Sequence, residues 1–341
     1  MVLAVQNFSG DDLILVTGGA GFIGSNIVLD LARAGSRVVV CDLFRSGEKW
    51  RNLAPAQLHD IVRPDILFEW LGHHRDKVAV IVHMGAISST TENDVDKFVA
   101  TNTRLSLDLW QWCAAHATRL IYASSAATYG DGSAGFSDEQ SPAALAALRP
   151  LNAYGWSKHV VDRRIIDDVV RGQPTPPQWA GLKFFNVYGP NETHKGVMQS
   201  LVSKIHPVVK AGGTVTLFRS HDPRYGDGGQ LRDFIYVKDC VAVVRWLLRN
   251  PMTSGLFNVG TGIPRSFLDL VGAVGAVVGC APNIRFVDTP EELRAQYQYF
   301  TRADTSKLRA AGFETPFYSL EDGVRDYLGH SSSADRSDPR G

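Results

Sequence analysis

Cysteine is scarce in this chain, with four residues in 341, at Cys41, Cys113, Cys240 and Cys280. No Cys-x-x-Cys and no Cys/His cluster groups them, which excludes a disulfide framework and a zinc site and fits a reducing compartment. Net charge is missing as well: 35 basic residues meet 35 acidic ones. No field gathers nucleic acid or an anionic membrane, so the partners to look for are small molecules. No apolar run approaches the length of a membrane span, and Asp11 and Asp12 stand where a basic leader would be. With no internal repeat either, these absences leave a cytoplasmic chain long enough for two packed domains.

The first strong positive signal is Leu13-Ile14-Leu15-Val16-Thr17, a short apolar run that leads into Gly18-Gly19-Ala20-Gly21-Phe22-Ile23-Gly24 and an apolar-periodic stretch to Leu31. Strand, glycine turn and helix follow in the order a dinucleotide site needs. Gly18 permits the sharp turn, Gly21 a close approach to a pyrophosphate, and Gly24 the packing of helix on strand. A second strand, Arg37 to Cys41, ends in Asp42, where a carboxylate would accept hydrogen bonds from an adenosine ribose. Val80 to Ala86 and Tyr122 to Gly130 are two further strands that run into small-residue loops, the second offering the Ser125 hydroxyl.

Tyr154 and Lys158 complete the pattern, since residues i and i+4 share one helix face. A phenol must shift by about 3 units, roughly 4 kcal/mol, to serve as a base at neutral pH. One ammonium at contact distance supplies ~4 kcal/mol at an effective dielectric of about 20, less its own desolvation. Ser125 can hydrogen-bond a substrate oxygen whose charge changes.

Short apolar runs alternate with amphipathic stretches, which predicts an α/β protein with a parallel sheet covered by helices on both faces. Strands are expected at 13–17, 37–41, 78–83, 119–123, 181–186 and 256–259, and helices at 22–34, 92–115, 154–171, 196–211 and 238–249. Residues 42–64 read as a loop, and Phe234 to Val237 as the start of a return to the first domain. The expected division is a doubly wound, Rossmann-type dinucleotide-binding domain at 12–186 and 234–260. A smaller α/β substrate domain takes 187–233 and 261–328, and a tail rich in Ser, Asp and Arg, 329–341, is expected to be disordered.

Beyond these readings, the Gly18–Gly24 turn, His83 to Ala86, Ser124 to Gly130, the Tyr154/Lys158 pair, Phe185 to Pro190 and Arg232 to Val237 resemble the extended short-chain dehydrogenase/reductases that modify nucleotide sugars. Finer features are similar to the ADP-L-glycero-D-manno-heptose 6-epimerase family: Ser88 to Glu92, Leu151 to Lys158, His194-Lys195-Gly196-Val197-Met198 and Tyr297 to Asp304. The resemblance implies epimerisation at heptose carbon 6 through a transient ketone, with a tightly bound nicotinamide cofactor, in a homo-oligomer that supplies lipopolysaccharide core heptose. Epimeric hydroxyls point different ways, and two positioned bases serve them economically. The resemblance assigns those roles to Tyr154 and Lys195, with Ser125 assisting and Lys158 orienting the nicotinamide ribose.

By the same resemblance the cofactor contacts are Gly18, Gly21, Phe22, Ile23, Gly24, Asp42, Leu43, Lys49, Met84, Gly85, Ala86, Ile87, Ser88, Asn102, Lys158, Val187 and Lys195. The ADP-sugar contacts are Ser125, Asn186, Val197, Lys204, Phe218, Arg219, Ser220, His221, Arg232 and Tyr297. Val197 stands where the family places a serine and Lys204 where it places a histidine, and the loop 219–231 is longer. Asp42 argues for NAD because a carboxylate repels a 2′-phosphate. The family uses NADP, with Lys49, Arg45 and Arg63 available to hold that phosphate, so NADP is the expectation and NAD the alternative. A UDP-hexose 4-epimerase is the competing activity and would not need Lys195. Ala126-Ala127 stand where a 4,6-dehydratase would carry Asp-Glu, and the complete set Ser125, Tyr154 and Lys158 argues against a non-catalytic dinucleotide-binding regulator.

Overall fold

The computed structural model describes residues 10–334 apart from Ser46, Thr90, Thr91, Asn93, Ala295 and Gln296. Its centre is a seven-stranded sheet, every pair of neighbours parallel. The strands are β1 (Leu13–Thr17), β2 (Arg37–Cys41), β3 (Asp60–Val62), β4 (Val78–His83), β5 (Arg119–Ser125), β6 (Trp179–Phe184), β7 (Asn186–Tyr188), β8 (Thr214–Phe218), β9 (Leu231–Arg232), β10 (Phe234–Tyr236), β11 (Gly255–Val259), β12 (Arg265–Ser266) and β13 (Asn283–Val287). The large sheet runs β11-β6-β5-β4-β1-β2-β3. Every residue of β1 and of β6 is buried, because both faces are covered and alternation gives way to a continuous apolar run.

On one face, helices Phe22–Arg33 and Val237–Arg249 bury Ile27, Val28, Leu31, Val243, Val244 and Leu247 against Val16, Val40 and Val82. On the other, helices Leu105–Ala115 and Ala153–Val170 bury Leu109, Trp110, Val161 and Ile165 against Leu15, Ile81 and Tyr122. A third core joins helices Leu201–Lys210, Phe267–Val278 and Leu320–Ala334 with Val215, Leu217 and Phe234. This is the smaller unit, built on β8 with β13 and β9 with β12.

Several expectations need correction. Residues 42–64 are not all loop: β3 extends the sheet edge, pairing with β2, and Glu48–Leu53 forms a short 3-10 helix. The helix expected at 92–115 is Val95–Phe98 and Leu105–Ala115 joined by a π-helical segment, Val99–Arg104. The helix expected from 196 begins at Leu201, where the Ser200 hydroxyl accepts from Ser203 N (3.3 Å). Phe234–Tyr236 pairs with β7 beside the large sheet, and the return to that sheet is made by helix Val237–Arg249 packed on its face and by β11. Helix Leu320–Ala334 carries regular structure past residue 329, and residues 335–341 of the expected tail lie outside the described residues.

Candidate active site

The carboxyl ends of β1, β4, β5 and β6 open into one cleft of about 1550 Å³, where an open parallel sheet binds its ligand. Its floor is the turn after β1, in which Gly18 holds φ +63° and lies so close to Gly85 that a Cβ would meet the Gly85 Cα at 2.6 Å. Gly21, Phe22, Ile23 and Gly24 line the same wall, at the start of helix Phe22–Arg33. Met84, Gly85, Ala86, Ile87 and Ser88 form the next wall. Thr17 ties that loop to β1: its carbonyl accepts from Met84 N (3.0 Å) and its hydroxyl from Gly85 N (3.2 Å).

Asn102, expected to touch a cofactor, stands behind this wall and does not line the cleft. It is fully buried on the π-helical segment, its amide donating to Ile87 O (2.9 Å) and accepting from Ile87 N (2.8 Å). A π turn swings a side chain out of the α-helical register, and here it anchors the loop that faces the cleft.

Asp42 closes the far end, and it is already engaged. Oδ2 accepts from Ala20 N (2.8 Å), while Oδ1 accepts from Leu43 N (2.7 Å) and the Lys49 ammonium (2.5 Å). Arg51 pairs with Glu48 and Arg63 with Asp65. Arg45, exposed at φ +54° and on the cleft wall, carries no ion pair among the described residues.

Tyr154 and Lys158 both face the cleft from helix Ala153–Val170, whose start is capped by Asn152 Oδ1 accepting from Gly155 N (2.8 Å). A Cβ at Gly155 would meet Ala127 O at 2.5 Å, so the helix rests directly on the turn that carries Ser125. Burial raises the Tyr154 phenol above its ordinary range, and a hydrogen bond with Ser125 opposes it. Burial likewise pushes Lys158 down to about 8, partly offset by Asp162 one turn further along. Lys158 was expected to bring Tyr154 down, but in the protein alone desolvation governs both groups. Lys158 is 2% exposed, and its ammonium has no hydrogen-bond partner among the described residues. A buried orphan donor at a cleft wall fits a ligand hydroxyl, such as a ribose, and the close-packed glycine turn fits a pyrophosphate. The residues present therefore suit a dinucleotide.

Behind the pair lies a buried polar network that composition and spacing did not single out. Asp162 accepts from Tyr122 (3.0 Å), Ser124 (2.7 Å) and the fully buried Lys183 (2.9 Å). Its position four residues beyond Lys158 on the same face was the available signal. His83, also buried, is held neutral by desolvation and by Lys158, with a pKa down to about 3, and links Thr17 (2.6 Å) to Ser106 (2.9 Å).

Lys195 lines the same cleft from the stretch after β7. It is half-buried, its ammonium 5.2 Å from the Phe22 ring centroid, and burial lowers its pKa, with Glu192 opposing and Lys204 adding. His194 lines the cleft beside it. Asn186 and Val187 line the cleft from β7. Val197 is 78% exposed and does not line it, and Lys204 is exposed on its helix.

The remaining expected sugar and nucleotide residues form a separate cluster in the smaller unit. Phe218 meets Tyr297 edge-on (6.3 Å), Tyr297 meets Tyr299 (5.1 Å), and Tyr225 stacks on Tyr299 (5.6 Å). Arg219 is half-exposed near Asp227 and Asp288, the Ser220 hydroxyl donates to Asp222 O (2.8 Å), and His221 N donates to the Tyr299 hydroxyl (3.0 Å). Arg232, 7% exposed, lies between the rings of Phe267 (5.7 Å) and Tyr297 (5.4 Å) with no carboxylate partner among the described residues. Burial pulls its pKa down to about 10. A buried, unpaired guanidinium is a natural diphosphate ligand.

This fold and cleft are those of a dinucleotide-binding α/β protein, and the chain belongs to the NAD dependent epimerase/dehydratase family, whose sequence model matches residues 14–260. Within that class it is 47% identical over 324 residues to the ADP-L-glycero-D-manno-heptose-6-epimerase of Nitratidesulfovibrio vulgaris, covering 93% of this chain and 97% of that one. It is 43% identical to the enzyme of the same name from Fusobacterium nucleatum, covering 93% and 97%. Among solved structures it is similar to ADP-L-glycero-D-manno-heptose-6-epimerase from Helicobacter pylori, with TM-score 0.79, 28% identity and coverage of 97% and 100%. It is also similar to Thermus thermophilus UDP-glucose 4-epimerase in complex with NAD, with TM-score 0.74, 27% identity and coverage of 94% and 99%.

Proposed function

We propose that this protein is an isomerase interconverting ADP-D-glycero-D-manno-heptose and ADP-L-glycero-D-manno-heptose at carbon 6. The observation that carries the reading is one cleft lined by two groups able to move a proton, Tyr154 on helix Ala153–Val170 and Lys195 on the stretch after β7, with Lys158 and Ser125 lining it as well. Held by the glycine turn and Lys158, a nicotinamide cofactor would supply reversible hydride transfer at carbon 6. Tyr154, hydrogen-bonded to Ser125, exchanges a proton with the hydroxyl of one epimer, and Lys195 with that of the other. Lys158, orphaned in the cleft, binds the ribose hydroxyls, and Arg232 takes the substrate diphosphate.

NADP is the proposed cofactor. The Lys49 ammonium already pairs with Asp42, so the carboxylate's repulsion of a 2′-phosphate is blunted, and Arg45, with no ion pair among the described residues, adds a positive charge on the same cleft. The reading also carries a cytoplasmic homo-oligomer supplying heptose for lipopolysaccharide core. The purified protein is tested with ADP-D-glycero-D-manno-heptose and UDP-galactose, with products resolved by chromatography and the cofactor released and identified. Epimerisation of the heptose substrate with NADP on board is expected. Turnover of the UDP-hexose alone would overturn the assignment.

A further inference from the structure

The stretch 189–199 that bears Lys195 leaves β7 toward the smaller unit, where Glu192 holds Ser200, yet several side-chain anchors reach back to the dinucleotide-binding half. Asn26 Nδ2 donates to Pro190 O (3.0 Å), and Asn191 Nδ2 donates to the Ser25 hydroxyl (3.1 Å). Asn52, 8% exposed, places its amide near three acceptors: Ala20 O (3.0 Å) in the glycine turn, Asn191 O (3.3 Å), and His194 Nδ1 (3.2 Å). An amide has two hydrogens for those three, so one is shared. The His194 ring can accept because burial, Lys49 and Lys195 favour its neutral form. Asn191 itself holds φ +71°, a conformation uncommon outside glycine.

We propose that Asn52 is the positioning residue for Lys195. It fastens the residue next to Lys195 and the left-handed Asn191 to the glycine turn, so that Lys195 is fixed relative to the bound dinucleotide as well as, through Glu192 and Ser200, to the smaller unit. Asn52 lies on the same short helix as Lys49, Glu48–Leu53, so the segment that meets the cofactor's adenosine end also sets the second base. The Lys195 ammonium lies over Phe22, a residue of the same glycine-turn helix, which is the placement such a tether yields. The proposal rests on Lys195 being the second base. Removing the amide leaves two carbonyls without their donor and lets the stretch shift, and a displacement near 1 Å at a proton-transfer group costs up to about 10²-fold in rate.

The test uses the full-length protein loaded with cofactor and an ADP-heptose analogue carrying an aldehyde at carbon 6, whose dismutation needs one competent base. Asn52→Ala is introduced into Tyr154→Phe, where Lys195 works alone, and into Lys195→Met, where Tyr154 does. Dismutation is expected to fall about 10-fold or more in the first background and less than about 2-fold in the second. Equal losses in both would make Asn52 a general structural residue, and an unchanged rate in Tyr154→Phe would show Lys195 held without it; either overturns the proposal. Asn52→Ser, which keeps a donor on a shorter stem, takes the place of an alanine variant that does not fold and should show the same selectivity at smaller size. Failure of the two-base reading shows earlier and separately, as a Lys195→Met single variant that epimerises at the wild-type rate.

Discussion

The helix Ala153–Val170 and the stretch 189–199 each bring a titratable group to the cleft, with different structural resources. The helix has 18 residues, an Asn152 cap and a face buried against the sheet, so Tyr154 and Lys158 inherit their placement from backbone hydrogen bonds. The stretch has a short 3-10 turn broken at Gly196 (φ +54°), and Lys195 owes its placement to side chains: Asn26, Asn52 and Asn191 on one side. On the other, the buried Glu192 carboxylate accepts from Ser200 N (2.5 Å) and the Ser200 hydroxyl (2.6 Å). Position held by a helix is distributed over many bonds. Position held by four side chains can be lost one substitution at a time.

The sharpest way to break the comparison is to remove the two groups. Tyr154→Phe and Lys195→Met should each lower epimerisation by about 10²-fold or more, the usual contribution of a general base, while retaining measurable dismutation of the aldehyde analogue. The double variant should lose both. A Lys195→Met protein that epimerises normally would leave only the helix-borne group in catalysis.

The next effect is on the cofactor. Lys49→Ala should weaken NADP by about 1–3 kcal/mol, the range of a charge-assisted hydrogen bond, and leave NAD nearly unchanged in equilibrium titration. The same substitution frees Asp42 to accept from a ribose, so equal weakening of both would mean that Lys49 does not read the phosphate.

The smallest effect concerns stability and discriminates between the walls. Lys158 titrates near 10.5 in the unfolded chain and near 8 when folded. The cost of burying its charge is therefore fully present below pH 8 and relieved as pH rises from about 8 to above 10.5, and it amounts to about 3 kcal/mol at most. Lys158→Met should raise the chemical-denaturation stability of the cofactor-free protein by about 1–3 kcal/mol at pH 7, with the advantage closing above pH 10. Equal stability of the two proteins at pH 7 would mean that Lys158 is solvated in the free enzyme. The half-buried Lys195, with Glu192 opposing its burial, should give a smaller gain on the same substitution.

Legibility in the sequence divides along the same line. The sheet strands and the glycine turn follow from apolar runs and their punctuation, and Tyr154 with Lys158 from helical spacing. Lys195 has no such mark, because nothing periodic surrounds it; only its neighbours His194 and Gly196, as a resemblance, singled it out. Edge strand β3 escaped because three residues with one buried side chain make no pattern. Asn102 was placed near the cofactor but not behind its wall, since a π turn cannot be seen in spacing. Asn52 escaped because two of its three partners are backbone carbonyls, which leave no trace in residue identity, and the third, His194, lies 142 residues away.

Gly155 has a consequence of its own. Ser125 and Tyr154 belong to different segments, and the gap between their hydroxyls is gauged by the contact of Ala127 O with a residue that has no side chain. A single methyl there would be a shim. Alanine is the better helix former by about 1 kcal/mol, so Gly155→Ala would strengthen the helix in isolation while jacking it off the turn and opening the Ser125–Tyr154 hydrogen bond. The tolerance of this contact is thus written as an omitted carbon, and any redesign that scores the helix alone will fill it.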